Sequence, residues 1–485
     1  MLNPKRLSPN YCRQFSFIIL HSAFILFLAS CSVNKEISRS AKKNVLNNKA
    51  LQTAHVGISI YDPAASRYLY NYQGDKYFVP ASNTKLPTCY TAMKYLGDSL
   101  VGLRYKKTND AIFIQATGDP TFLHPDFSNH PAYKFLSNRT DSIIFSLFNW
   151  KEKNLGSGWA WSDYLEPYMA ERSVMPVYGN LRRIEAKKKD NYSLNFSFAM
   201  PNAELEFIPK YDFLINPIPP YLNTDYNSSE FLINWLKSGK KFYYDITRQI
   251  GSNELSYKMS LDQHLTQKIT FDTKDIDFIK NVLEDTLHSK IILDKFNFYT
   301  KYKFENTNFY NLKIHSQPTD SVLKPMMHRS DNFFAEQMLL MVSNEMLGVM
   351  NDAKIIDTLL KTDFKDLPQK PRWVDGSGLS RYNLFTPQDL VAILNKMKNE
   401  FGMDRIKEIF PTGGEGTISS YYQNETGFIY GKTGTLSGVV AFSGFLYTKK
   451  GKLLIFSTLV NNHKDSATAV RRAIEKFLQG VRNMY

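Results

Sequence analysis

Three short motifs, in one order and far apart, constrain this chain more than any other feature: Ser82-x-x-Lys85, Ser330-Asp331-Asn332 and Lys432-Thr433-Gly434. On a helix, a Ser and a Lys three residues apart share a face about one turn apart, so the amine reaches the hydroxyl. An alcohol attacks at neutral pH only when a neighbour takes its proton, and a Lys whose pKa has fallen through burial does that. The apolar rhythm Leu86, Tyr90, Met93, Leu96 and the stop at Gly97 predict a helix that begins at Ser82, with its positive end beside the hydroxyl. The spacing alone carries little, because Ser32, Ser40, Ser238 and Ser321 also have a Lys three residues on. Ser330 to Asn332 alone would suit a helix cap and Lys432 to Gly434 a turn. Together they make a set, and the stretch that sets the first two serines 248 positions apart must be folded out of the way to assemble it.

The set fits chemistry at an acyl carbon, which needs a nucleophile, a base, a proton route to the leaving amine and donors for the oxyanion. Ser82 and Lys85 supply the first two. Ser330 would relay a proton between Lys85 or Lys432 and the departing nitrogen, and Asn332 would hold a peptide carbonyl. Lys432 and Thr433 on a strand edge offer a cation and a hydroxyl to a carboxylate, while Gly434 lets substrate backbone approach. The nine His are scattered without a His-x-His or His-Glu-x-x-His pattern, so neither a metal nor another cofactor is expected.

The first thirty residues read as an export signal: Lys5, Arg6 and Arg13, an apolar run from Phe15 to Leu28, then Leu28-Ala29-Ser30-Cys31. Small residues directly before a Cys resemble a bacterial lipoprotein box, with cleavage before Cys31 and lipid on its sulfur. The apolar run is too short to span a bilayer comfortably. The net charge of +14 falls to about +11 without the signal. Export argues against a nucleic-acid partner, and the cluster Arg182, Arg183, Lys187, Lys188 and Lys189 reads as a solvated basic face. Cys89 would then be the one thiol left unmodified, on the Ser82 helix and best read as a buried structural residue.

Residues 31–51 are polar and basic, and read as a tether. The catalytic body is expected over residues 52–103 and 318–485. It includes strand, turn and strand from Val56 to Tyr72, a helix from Phe333 to Leu347 closed by Gly348, strands Val439–Tyr447 and Leu453–Val460, and a helix from Ser466 to Leu478. Residues 104–317, rich in Asn, Tyr, Phe and Lys with short alternating runs and one helix near Asp275 to Leu287, read as one or two inserted, β-rich domains, since so long a stretch is no loop.

With its flanks the set resembles the D-alanyl-D-alanine carboxypeptidase/endopeptidase family, class C low-molecular-mass penicillin-binding proteins of peptidase family S13. The matching stretches are Pro80-Ala-Ser-Asn-Thr-Lys-Leu86, Gly118-Asp-Pro-Thr121, Gly158-Trp-Ala-Trp161, Ser330-Asp-Asn-Phe-Phe-Ala-Glu336, Asp375-Gly-Ser-Gly-Leu-Ser380 and Gly431-Lys-Thr-Gly-Thr-Leu-Ser437. The resemblance implies an α/β (α+β) body of the penicillin-recognising, β-lactamase-like kind, an antiparallel sheet flanked by helices and split by the insertion. It implies Ser82 as acylated nucleophile, Lys85 as base, Ser330 and Asn332 as second motif, Lys432 with Thr433 as third, and an oxyanion hole of the Ser82 and Thr435 N–H groups. Asp375 to Ser380 is expected as a structural turn. Pro87 departs from the pattern by removing a helical N–H close to Lys85. The expected activity is cleavage of D-alanyl-D-alanine bonds in peptidoglycan stem peptides, with β-lactams as covalent inhibitors, by an enzyme lipid-anchored in the periplasm at the outer membrane. A β-lactamase of the same superfamily and a catalytically weak cell-wall-binding protein are the alternatives.

Overall fold

In the computed structural model, the described residues are 34–164, 166–188, 194–198, 243–248, 255–260, 266–270, 273–274, 276–294 and 312–484. The expected signal peptide and Cys31 lie outside them, as do Lys189 and the side chains of Arg182, Arg183, Lys187 and Lys188.

The strands in chain order are β1 (His55–Asp62), β2 (Arg67–Tyr72), β3 (Ser99–Lys107), β4 (Ala111–Ala116), β5 (Ser142–Ser146), β6 (Leu181–Lys188), β7 (Leu194–Phe198), β8 (Tyr243–Arg248), β9 (Leu255–Ser260), β10 (Thr266–Thr270), β11 (Ile291–Asp294), β12 (Leu312–Pro318), β13 (Ile429–Leu436), β14 (Val439–Tyr447) and β15 (Leu453–Asn461). The body is built on an antiparallel sheet of order β13-β14-β15-β1-β2. β14 and β15 are apolar almost throughout because both faces are covered, and alternate residues choose the layer. Ala441, Phe445, Ile455 and Leu459 join the helices Lys85–Tyr95, Asn332–Leu347 and Pro387–Ile409 on one side. Val440, Phe442, Leu454, Phe456 and Val460 meet Val470, Ile474, Phe477 and Val481 of the C-terminal helix Ala467–Met484 on the other.

The expected tether is overturned. Residues 34–41 are α-helical and Lys42–Leu46 continue as a π turn; Ile37, Ala41, Val45 and Leu51 are buried in the layer formed by the C-terminal helix. The close approach is tight enough that a Cβ on Gly480 would lie 2.8 Å from Ser40 Oγ. Ile37 and Ala41 share a helical face, while Lys35, Arg39, Lys42 and Lys43 face outward and made the segment look merely polar.

The insertion leaves and returns on neighbouring strands. β3 pairs with β12 so that Ser99 stands opposite Pro318, and Thr319 N–H bonds Asp98 C=O at 2.9 Å. The boundaries therefore fall at 98/99 and 318/319, so the expected change at 103/104 cuts a continuous strand. Within the insertion lie a five-stranded sheet of order β11-β5-β4-β3-β12, a sheet β10-β6-β7 and a β8-β9 pair. The helix Ile276–Leu287 lays Ile279, Leu283 and Leu287 on the first of these sheets, and a shorter helix, Pro131–Ser137, was not expected. Among the described residues no helix is long and apolar enough to cross a membrane.

Candidate active site

Ser82 sits in a 3-10 turn, Ala81–Thr84, and the α-helix begins only at Lys85. The expected α-helical start at Ser82 is thus displaced by one turn. Pro87 is then in the first α-helical turn, where proline is tolerated, so the departure leaves the motif intact. Ala81 has φ +48°, and Gly378, at φ +85°, packs so near that a Cβ would lie 2.0 Å from Ala81 C=O. A left-handed alanine immediately before the nucleophile persists only where the surroundings over-determine it, and the Gly378 loop is that surrounding.

Lys85 is fully buried. Its Nζ lies 3.1 Å from Ser82 Oγ and donates to Asn332 Oδ1 at 2.6 Å and Ser377 C=O at 2.8 Å. Burial lowers its pKa to about 8, against the opposing pull of Asp375, Asp331 and Glu336. Asp331 caps the helix Asn332–Leu347 by accepting from Phe334 N–H, which fixes Asn332 on the first turn. Asn332 Nδ2 in turn donates to Tyr168 C=O from the insertion at 2.9 Å.

Lys432 lies on β13, at the edge of the sheet, fully buried with Nζ donating to Ser330 Oγ at 2.9 Å and Thr433 C=O at 2.8 Å. Ser330 has φ +61°, a second left-handed residue at a motif. Burial first and the Lys85 charge second hold Lys432 well below the ordinary lysine range. Asn83 Nδ2 donates to Lys432 C=O at 2.8 Å, pinning the nucleophile turn to the strand. A Cβ on Gly434 would lie 2.9 Å from Ser82 N, so that position must be bare for turn and strand to meet. Thr433 Oγ1 is 2.6 Å from Thr417 Oγ1, and Arg471 donates to Thr435 Oγ1 at 2.6 Å.

The structure therefore gathers Ser82, Lys85, Ser330, Asn332, Lys432, Thr433, Gly434 and Thr435 around one turn and one strand edge. Sequence reasoning missed Ser377 C=O, Asn83, Thr417 and Arg471. A main-chain carbonyl leaves no side-chain signal, and the other three matter only through where the fold sets them. Asp375, expected as part of a structural turn, is fully buried and accepts from Gly378 N–H, Ser380 N–H, Asn383 and Trp159 Nε1, which locks the loop carrying Ser377. Among the described residues no cluster of His, Cys, Asp and Glu is arranged to hold a metal ion. Cys89 is free and buried, its thiol pushed up by burial, and takes no part.

A serine and a desolvated lysine on one helical turn, a second serine on a second lysine, and a strand edge beside them define a serine acyl-transfer enzyme on an α/β body with helix-flanked sheets. The D-Ala-D-Ala carboxypeptidase 3 (S13) family model matches residues 39–205 and 246–481, and the chain belongs to that family. It is a serine-type D-Ala-D-Ala peptidase. It is 25% identical over 465 residues to a D-alanyl-D-alanine carboxypeptidase of Actinomadura sp., covering 89% of this chain and 82% of that protein. A D-alanyl-D-alanine carboxypeptidase DacB of Haemophilus influenzae is 27% identical over 184 residues, 35% of this chain and 37% of the relative. Penicillin binding protein 4 (dacB) of Haemophilus influenzae shares the fold, with a TM-score of 0.62 at 18% identity over 93% of this chain and 98% of the other.

Proposed function

We propose that Ser82 Oγ attacks the carbonyl between the two terminal D-alanines of a peptidoglycan stem peptide, with Lys85 as its base, and that the acyl-enzyme is then hydrolysed. The observation that carries this reading is the set of partners of Lys85 Nζ. A neutral amine has two hydrogens and one lone pair. Asn332 Oδ1 and Ser377 C=O accept the two hydrogens, which leaves the lone pair for the Ser82 hydroxyl. As the Oγ–C bond forms, the hydroxyl proton passes to Lys85. As the C–N bond breaks, the leaving amine takes a proton through Ser330, drawn from Lys85 or Lys432. Water attacks the ester, giving its proton back along the same route.

The Ser82 and Thr435 N–H groups serve the oxyanion, and Lys432 with Thr433 receives the terminal carboxylate. Arg471, on Thr435, adds a second cation to that end. A structure of the Haemophilus protein in complex with a β-lactam has the same fold, with a TM-score of 0.57 at 17% identity over 93% of this chain and 98% of the other. A β-lactam amide mimics the D-alanyl-D-alanine bond, so it should acylate Ser82 here. Class A β-lactamases deacylate with a Glu in a Glu-x-x-x-Asn stretch after the second motif. No such stretch stands between Asn332 and Asp375 in this chain. The test is mass analysis of purified stem peptides and of the intact protein. Released D-alanine reports carboxypeptidase action and split dimers report endopeptidase action, while a persistent penicillin adduct on wild type and none on Ser82→Ala completes the expected result. Rapid release of opened penicillin would favour a β-lactamase, and no adduct with no cleavage a binding protein.

We also infer that Cys31 carries lipid and holds the enzyme at the periplasmic face of the outer membrane. The support is Leu28-Ala29-Ser30-Cys31, with the helix starting by residue 34. Three residues reach about 10 Å, so the body would sit against the bilayer rather than swing from it. Lys35, Arg39, Lys42 and Lys43, outward on that helix, suit anionic headgroups. Cys31→Ser should move the protein out of the membrane fraction; unchanged fractionation would refute the anchor.

A further inference from the structure

Arg172 comes from the insertion, yet its guanidinium is buried at 1% exposure against the catalytic body. NH1 donates to Glu336 Oε2 at 3.3 Å and Asp352 Oδ2 at 2.7 Å, and NH2 to Glu152 Oε1 at 3.3 Å and the carbonyls of Lys153 and Leu155 at 2.9 and 3.2 Å. Glu336 is on the second-motif helix, one turn past Asn332. Its other oxygen, Oε1, accepts from Ser377 N–H at 2.7 Å. The Ser377 carbonyl takes one of the two Lys85 hydrogens. An unbroken chain thus runs from Arg172 through Glu336 and the Ser377 residue to the general base.

We propose that Arg172 is a positioning residue for Lys85: it holds Glu336 in place under Ser377 N–H as a carboxylate, and so fixes the carbonyl that leaves the Lys85 lone pair aimed at Ser82. The proposal rests on the Lys85 role given above. Both Glu336 oxygens face N–H donors, the arrangement of a carboxylate rather than a carboxylic acid, whose O–H would point at a guanidinium. The balance is nevertheless fine. Burial first, then Asp375 and Asp352, push Glu336 above the usual carboxylate range, and Arg172 with the Ser377 N–H pulls it back down. Without Arg172, Glu336 would take up a proton and cease to favour the charged form of Lys85. The charged groups facing Lys85 are Glu336, Asp375, Asp331 and Lys432, and those facing Glu336 are Arg172, Asp352 and Asp375. Of all these, only Arg172 comes from the inserted segment.

The experiment is the pH profile of penicillin acylation in the full chain for wild type, Arg172→Met, Arg172→Lys, Glu336→Gln and the Arg172→Met/Glu336→Gln double variant. Removing the anion favours neutral Lys85, so Arg172→Met and Glu336→Gln should each move the acid limb to lower pH, on the order of one unit. The double variant should move it no further than Glu336→Gln alone. Arg172→Lys, which keeps the charge but loses the fork, should hold the limb near wild type while lowering the plateau rate several-fold. A merely structural arginine would lower the amount of active protein and leave the limb where it is. Should Arg172→Met fail to fold, Glu336→Gln and Arg172→Lys decide. An unmoved limb in Glu336→Gln, a shifted limb in Arg172→Lys, or additive shifts in the double variant would overturn the proposal. If Ser82→Ala still forms the adduct, the Lys85 reading itself fails, which is a separate result.

Discussion

Lys85 and Lys432 are both fully buried and, among the described residues, neither is bonded to a carboxylate, whereas Arg172, just as buried, touches three: Glu152, Glu336 and Asp352. The two clusters share the Glu336 side chain's neighbourhood and follow opposite rules. A buried cation without a counter-ion is pushed toward its neutral form, which makes an amine basic and reactive at neutral pH. A buried cation given more carboxylates than it needs stays charged and fixes geometry. The choice of side chain matches the proposed roles: lysine, which surrenders its proton when buried, where the acyl transfer is proposed, and arginine, which does not, where two folding units are fastened.

The sharpest way to break the contrast is to put the wrong cation in the reactive cluster. In Lys85→Arg the guanidinium keeps its proton, so Ser82 loses its base while the positive charge remains. Acylation by penicillin should fall by about 10³-fold or more, close to the loss in Ser82→Ala. Intact-protein mass against time measures it. Acylation within tenfold of wild type would mean that Lys85 acts as a fixed charge and some other group takes the proton.

A milder change converts the reactive cluster to the compensated kind. Asn332→Asp sets a carboxylate where Lys85 Nζ now finds an amide oxygen at 2.6 Å. An opposite charge this close favours the charged amine and should raise Lys85 from about 8 by roughly one to three units. The acid limb of acylation then moves up. At pH 7 the rate should drop about tenfold for each unit, and much of it should return as pH rises toward the new value. A drop that persists at high pH would locate the role of Asn332 in substrate binding rather than in the state of Lys85.

The two clusters were not equally legible in the amino-acid sequence. Ser82, Lys85, Ser330, Asn332 and Lys432 stand out because nucleophile, base and relay need particular side chains at particular spacings, and strands such as Val439–Tyr447 stand out because burial on both faces leaves a long apolar run. Arg172 does not stand out: it lies in an irregular stretch, and a lone arginine there resembles any solvated one until the fold surrounds it with Glu152, Glu336 and Asp352. The helix at residues 34–46 was hidden for a related reason, since Ile37, Ala41 and Val45 make too thin an apolar stripe among Lys35, Arg39, Lys42 and Lys43 to outweigh a polar composition. The edges of the insertion were blurred because β3 turns in mid-strand from the buried Leu100, Val101 and Leu103 to Arg104, Lys106 and Lys107, so the composition changes inside one strand and only pairing with β12 reveals where it starts.

The smallest effect should come from thinning the compensated cluster. Asp352 accepts from Arg172 at 2.7 Å and stands close enough to Glu152 that its charge helps raise that carboxyl, after burial and against the Arg172 attraction. Three carboxylates around one guanidinium leave an excess of negative charge, so one of them can be neutralised without stranding the cation. Asp352→Asn keeps an oxygen in the same place to accept from Arg172 NH1, and it removes a repulsion. Thermal unfolding should shift by no more than a few degrees, well short of the roughly 3–5 kcal/mol lost when a buried pair is broken outright. The sign at the active site also follows. With Asp352 neutral, Glu336 ionises more readily, Lys85 is held slightly more protonated, and the acid limb should rise by a few tenths of a pH unit, opposite to Arg172→Met. A large loss of stability would show that all three carboxylates are needed to hold Arg172, and a downward shift of the limb would show that the coupling between the clusters does not run through Glu336.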